Sequence, residues 1–133
     1  PQEPVWAVDK QIRGFTVTTY NFWAGICEAA VVDNEIVVDD EGFYTLVVST
    51  EADRPKNATP ENGVTWLNWG DYLDGQLTYR LLLRRNPLLA KMREAIESGE
   101  VGAEVAPYVP QSRHCTREAF EKAGWRAAFD EGL

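Results

Sequence analysis

The sequence is poor in the residues that carry metal and nucleophile chemistry. Among 133 residues it has one histidine, His114, and two cysteines, Cys27 and Cys115. One His and two distant Cys are too few for a zinc set, and their spacing fits neither CxxC nor a zinc finger. A single His needs a nearby nucleophile or carboxylate to do catalysis, so His114 reads as a surface or tail-packing residue. The P-loop, GxGxxG, GxSxG and HExxH patterns are all missing. No apolar run approaches the ~20 residues of a membrane span, and the opening Pro1-Gln2-Glu3-Pro4 has no signal-peptide character. That opening, without Met, reads as a processed or excised product. Positive charge is scarce as well: 13 Lys and Arg against 21 Asp and Glu leave a net charge of −8. Nucleic acid and anionic membrane surfaces are therefore disfavoured as partners. No catalytic residue, metal or cofactor is assigned, and the balance is against an enzyme.

What is present suits one globular domain over 1–133, with a β core over 1–85 and a helical, irregular tail over 86–133. Apolar residues make up 44% and charged residues 26%, ordinary values for a folded domain. After an extended entry with Trp6 as anchor, Gln11–Tyr20 is rich in β-branched and aromatic residues and predicts a strand. Strands are also expected over Ile26–Val32, Glu35–Val38, Phe43–Ser49, Val64–Trp69 and Gln76–Arg84. Asp39-Asp40-Glu41-Gly42 predicts the turn of a hairpin over Glu35–Ser49, with Gly42 at the positive-φ position. In Gln76–Arg84 one face, Leu77, Tyr79, Leu81 and Leu83, is wholly apolar, as in a strand packed on the core. Thr50–Gly63 is a polar loop, long for a compact domain, and long loops are often functional.

The tail changes periodicity. Asn86 followed by Pro87 reads as an N-cap and first helical residue, and Gly99 as the terminating glycine of a helix over Pro87–Ser98. Thr116 predicts the cap of a second helix, Arg117–Ala123, ended by Gly124, with Trp125 and Phe129 docking the tail. Strands at this spacing followed by helices predict an antiparallel β-sandwich, jelly-roll-like, with a C-terminal helical appendage. A Cys27–Cys115 disulfide would tie the tail to an early strand. It would contribute on the order of 4 kcal/mol and imply an oxidising compartment. Two buried free thiols are the alternative.

Several segments together carry a resemblance: Arg13-Gly14-Phe15-Thr16-Val17-Thr18-Thr19-Tyr20, Asp39–Ser49, Asp53–Thr59, Asn62–Gly70 and Ser112–Thr116 before Phe120. They resemble the C-terminal β-sandwich region of uncharacterised, apparently exported bacterial proteins grouped as a domain of unknown function. The resemblance implies a jelly-roll-like sandwich and a secreted, periplasmic or cell-envelope location. In similar proteins a longer N-terminal part precedes this region. An open sheet edge would then be expected here, covered by an upstream part of a longer precursor or by a second copy.

Two groups of residues are candidates for binding. Arg54, with its backbone restricted by Pro55, offers a fork of donors for a carboxylate or phosphate, oriented by Asp53, Asn57 and Thr59. The alternative is that Arg54 holds the long loop in place. Trp66 and Trp69 lie three apart on a short strand and so on opposite faces; one is expected in the core. The other, with Trp23 and Tyr72, could form an aromatic platform for a sugar or apolar ligand. The acidic turns at Asp39-Asp40-Glu41 and at Asp71 and Asp74 lack EF-hand spacing. Three readings follow. The favoured one is a non-enzymatic structural or interaction module. The second is a small-ligand or carbohydrate-binding sandwich. The third is a hydrolase or isomerase with an unrecognised carboxylate site.

Overall fold

A computed structural model of the chain describes residues 12–83 and 87–125. These residues form five strands, β1 Ile12–Asn21, β2 Cys27–Val32, β3 Thr45–Ser49, β4 Val64–Asn68 and β5 Gly75–Leu83. Two helices follow, α1 Pro87–Ser98 and α2 Arg117–Ala123, with 3-10 turns at Pro60–Asn62 and Ala106–Tyr108. The architecture is mainly β, in two sheets: one of order β2-β1-β5, the other the pair β3-β4. The described residues divide into two compact units. One holds 12–15, 80–83 and 87–112; the other holds 16–79 and 113–125. The stretch read as a single C-terminal appendage thus divides between them.

In the larger unit the middle strand is the best buried. Val17 is 1% exposed and Thr19 is fully buried, and β1 has a hydrogen-bonded neighbour on either side. β1 and β2 are antiparallel, from Thr16 opposite Val32 to Tyr20 opposite Cys27. The Thr19 hydroxyl donates to the Asn68 carbonyl at 2.6 Å, tying this sheet to the end of β4. A buried hydroxyl without such a partner would be costly.

The second sheet corrects the antiparallel expectation. β3 and β4 run parallel, Thr45 opposite Val64 through Ser49 opposite Asn68. Parallel neighbours cannot be joined by a tight hairpin and need a crossover of a dozen or more residues. Thr50–Gly63 is that crossover, which accounts for its length. Its inner face carries Ala58, buried with Val64 of β4 and Phe120 of α2, and Val47 and Trp66 pack against this cluster.

The hairpin expected over Glu35–Ser49 survives as a turn with one bridge, Val38 to Tyr44. The Asp39 carboxylate accepts the N–H groups of Glu41 and Phe43 at 3.0 and 2.8 Å, and Gly42 takes φ +88°. No strand forms over Glu35–Val38, because the Val37 N–H is used by the Thr65 hydroxyl at 2.9 Å. β3 begins at Thr45 rather than Phe43. β5 also departs from expectation: it ends the sheet, and Leu77 on its supposed core face is 47% exposed.

The expected disulfide is not formed: Cys27 and Cys115 are both free and exposed. Cys27 starts an end strand with its side chain in solvent. The tail near Cys115 is anchored instead by Phe120 and by polar bonds from α2. Thr116 caps α2, its hydroxyl accepting the Ala119 N–H at 3.1 Å, and Gly124 closes it at φ +66°.

In the smaller unit, α1 buries Leu88, and Val105 is buried in the segment after it. Lys91 lies 3.7 Å from Glu94 and 3.8 Å from Glu104. Gly99 donates to the Ala95 carbonyl at φ +73° and ends the helix where its sequence predicts. The Asn86 cap, Trp6 and Phe129 lie outside the described residues. Among those described, no helix is long and apolar enough to cross a membrane.

Candidate functional site

The crossover uses its polar residues on itself and on α2. The Arg54 guanidinium stacks on Trp66, 4.4 Å from the ring centroid, and donates to the Ala58 carbonyl at 3.2 Å. Such a stack contributes about 0.5–2 kcal/mol. Asp53 accepts the Thr50 hydroxyl at 3.0 Å rather than orienting Arg54. Asn57 Nδ2 donates to the Phe120 carbonyl at 3.0 Å, and the Lys56 N–H to Glu121 at 2.9 Å. Arg117 returns from α2 to the Ala52 carbonyl at 3.2 Å. Trp66 is half-buried, with Nε1 donating to Ser49 Oγ at 2.9 Å. Asp53, Arg54 and Trp66 therefore hold the loop on itself and its flanking strands, and Asn57 ties it to α2.

The other aromatic residues converge elsewhere in the same unit. Asn21, buried at the end of β1, accepts the N–H groups of Trp23 and Ala24 on its Oδ1, both at 3.0 Å. Its own N–H and carbonyl bond Ile26 and Gly25 at 2.9 Å, and Gly25 sits at φ +64°. A short side chain bonding the backbone two or three residues on is what makes Asn a turn former. This turn thrusts Phe22 and Trp23 outward, 57% and 78% exposed. Their rings meet edge to face with centroids 5.3 Å apart.

The β4–β5 connection supplies the facing wall. Gly70, at φ +87°, donates to Asn68 Oδ1 at 3.0 Å, and Trp69 Nε1 donates to the Tyr72 carbonyl at 3.1 Å. Trp69 lies directly on Gly75, where a Cβ would collide with its six-membered ring. The two loops are joined by the Phe22 N–H to the Asp74 carbonyl at 3.4 Å, and by Trp23 Nε1 to Asp74 Oδ2 at 3.1 Å. Phe22, Trp23, Trp69, Leu73, Asp74 and Gly75 line an open cleft of about 340 Å³. Leu73 is 99% exposed at its rim. Tyr72 is exposed and gives its carbonyl to Trp69, but its ring is not part of the lining.

The remaining candidates are dispersed. His114 is exposed. Asp39 serves its own turn. Among the described residues no three His, Cys, Asp or Glu side chains come together as metal ligands. The Tyr44 and Tyr79 hydroxyls lie 3.4 Å apart, and burial, with Tyr44 adding to it, pushes the Tyr79 phenol well above its ordinary value.

Of the cleft residues the sequence marks Trp23 and Trp69, with Tyr72 beside them, as binding candidates, whereas Phe22, Leu73 and Gly75 do not stand out in it as site residues. The available signal was a large apolar residue, Leu73, inside a glycine-bounded turn, where burial cannot explain it. The chain matches no known family model, no curated protein and no solved structure.

Proposed function

We propose that the chain is a non-enzymatic binding module of an exported protein, and that the Phe22–Trp23–Trp69–Leu73 cleft is its binding surface for a small ligand. The observation that carries this reading is the exposure of Trp23 and Leu73 beside one another in a concave surface. Large apolar groups gathered in one exposed place mark binding surfaces, and apolar clefts with a few polar groups are the usual form of a ligand site. The hydrogen bonds of Asn21, Asp74 and Tyr72 hold both loops before any ligand arrives, which limits the ordering cost of binding. The cleft is lined by one carboxylate, and Arg54 is engaged elsewhere. That lining supports binding better than paired-carboxylate hydrolysis. The export reading rests on the resemblance of the sequence to exported bacterial proteins.

A panel of soluble oligosaccharides and small amines, followed by the indole N–H resonances, tests the proposal. A ligand of this surface shifts Trp23 and Trp69 saturably and leaves Trp66 unmoved. Shifts confined to Trp66, or none across the panel, would reject it.

The exposed Leu77 on β5 favours a second reading, in which an upstream segment or a second copy pairs with this end strand and completes a sandwich. Native mass spectrometry tests the second-copy form: a defined dimer supports self-pairing, and a lone 15.0 kDa species argues against self-pairing.

A further inference from the structure

Resting on the reading of the cleft as a ligand site, we infer that its ligand carries a quaternary ammonium group, the trimethylated nitrogen of a choline-like headgroup or a trimethylated amine.

The argument starts from the polar atoms of the lining. Both indole donors are already committed, Trp23 Nε1 to Asp74 and Trp69 Nε1 to the Tyr72 carbonyl. The side chains that remain are Phe22, Leu73 and the Asp74 carboxylate, and Gly75 adds none. What the side chains offer is therefore π-electron density, apolar surface and one acceptor that is itself an anion. A sugar needs donors as well as acceptors, because each of its hydroxyls does both. An anion would face Asp74 with no Lys, Arg or His in the lining to offset it.

A cation fits on both counts. Aromatic faces carry negative potential and attract cations over Trp, Phe and Tyr rings. A primary ammonium is compact, strongly hydrated and seeks three acceptors, whereas one carboxylate is present. A quaternary ammonium has no N–H to satisfy and spreads its charge over methyl groups. It therefore gains what this cleft supplies and loses little on leaving water. Three aromatic rings from two loops beside a carboxylate form such an environment. The cleft, about 340 Å³ and open to solvent, has room for such a headgroup. The net charge of −8 adds a long-range attraction for cations at low salt.

The test compares choline with its uncharged tert-butyl analogue on the whole chain, following the Trp23 and Trp69 indole N–H resonances. Choline is expected to shift both saturably, and the uncharged analogue to bind about tenfold or more weakly. Asp74→Asn, which keeps the shape, is expected to weaken choline about fivefold or more and leave the analogue unchanged. Trp23→Ala, at an exposed position, is expected to abolish the Trp69 response to both probes in a folded protein. Equal binding of the two probes would overturn the quaternary-ammonium assignment while the binding surface stands. So would silence toward choline with a response to an oligosaccharide. No response of the two indoles to any member of the panel would overturn both.

Discussion

Two loops of the larger unit, both marked by their sequence as candidates for binding, behave oppositely as structure. The segment Asp53–Thr59 has charge, proline and an arginine poised for an anion. The segment Trp69–Gly75 has glycines, aromatics and two carboxylates. The first is covered: α2 lies over it, Phe120 fills the space beside Ala58, and its polar groups bond α2 or each other. The second is left open, and its large apolar groups, Leu73 above all, face solvent. A polar loop becomes a structural clasp when a helix is at hand to take its hydrogen bonds, and an aromatic loop becomes a surface when nothing packs on it. Residue chemistry marked both Arg54 and the tryptophans as candidates; packing engages Arg54 with Trp66 and the Ala58 carbonyl and leaves Trp23 exposed.

The sharpest way to break this contrast is to remove the cover. Phe120→Ala empties the cluster under the crossover and should cost about 3–5 kcal/mol, read as a lower denaturant midpoint. At temperatures where the variant stays folded, the Trp23 indole resonance should not move. Coupled loss of both regions would show that they are one cooperative structure. Gly75→Ala strikes the other side. The added Cβ collides with Trp69 and should cost about 1–3 kcal/mol through displacement of the ring. It should abolish ligand-induced shifts at the cleft while leaving the Trp66 resonance in place. Retained binding would mean that Trp69 is not a wall of the site.

A pH titration probes packing outside both loops. The Tyr79 phenol is raised in the folded state, so the fold favours its neutral form. That stabilisation is fully present below the unfolded pKa of about 10 and is lost as pH rises above it. Thermal midpoints should therefore fall in alkali, and less steeply in Tyr79→Phe. The same slope in both proteins would exclude Tyr79 as the cause. The smallest effect on stability is expected where the proposed effect on binding is largest. Trp23→Ala and Leu73→Ser, at exposed positions, should each change stability by within about 0.5 kcal/mol. Thermal scans that show a much larger loss would mean that these side chains are part of the core after all.

Local features were readable from the sequence because local interactions make them. Pro87 opens α1, the hydroxyl of Thr116 caps α2, Gly99 and Gly124 end the helices, and Asp39 with Gly42 builds its turn. Each depends on residues within four positions of one another. The β-branched run of β1 was legible for the same reason, and Val17, Thr18 and Thr19 at its middle are buried. The parallel pairing of β3 with β4 was not legible, although the length of Thr50–Gly63 could have suggested it. Strand direction is set by which edges meet, and no residue in β3 or β4 encodes it. The disulfide expectation failed in the same way. Cys27 and Cys115 were joined on the argument that the tail needed an anchor, and Phe120, Asn57 and Arg117 anchor it without one.

The residues thus settled much of the secondary structure of the described segments, their turn chemistry, and the acidic charge and poverty in histidine and cysteine of the chain, all properties of composition or of neighbours along the backbone. The tertiary structure decided which tryptophan is clasped and which is open, where Arg54 spends its donors, and which residues of the end strands face solvent. These turn on contacts between residues far apart in sequence: Asn57 with Phe120, Thr19 with Asn68, Trp23 with Asp74. Such contacts form only if the chain can close the intervening loops and bury enough apolar surface to offset the entropy lost in doing so. That balance belongs to the whole fold, and no single segment reveals it.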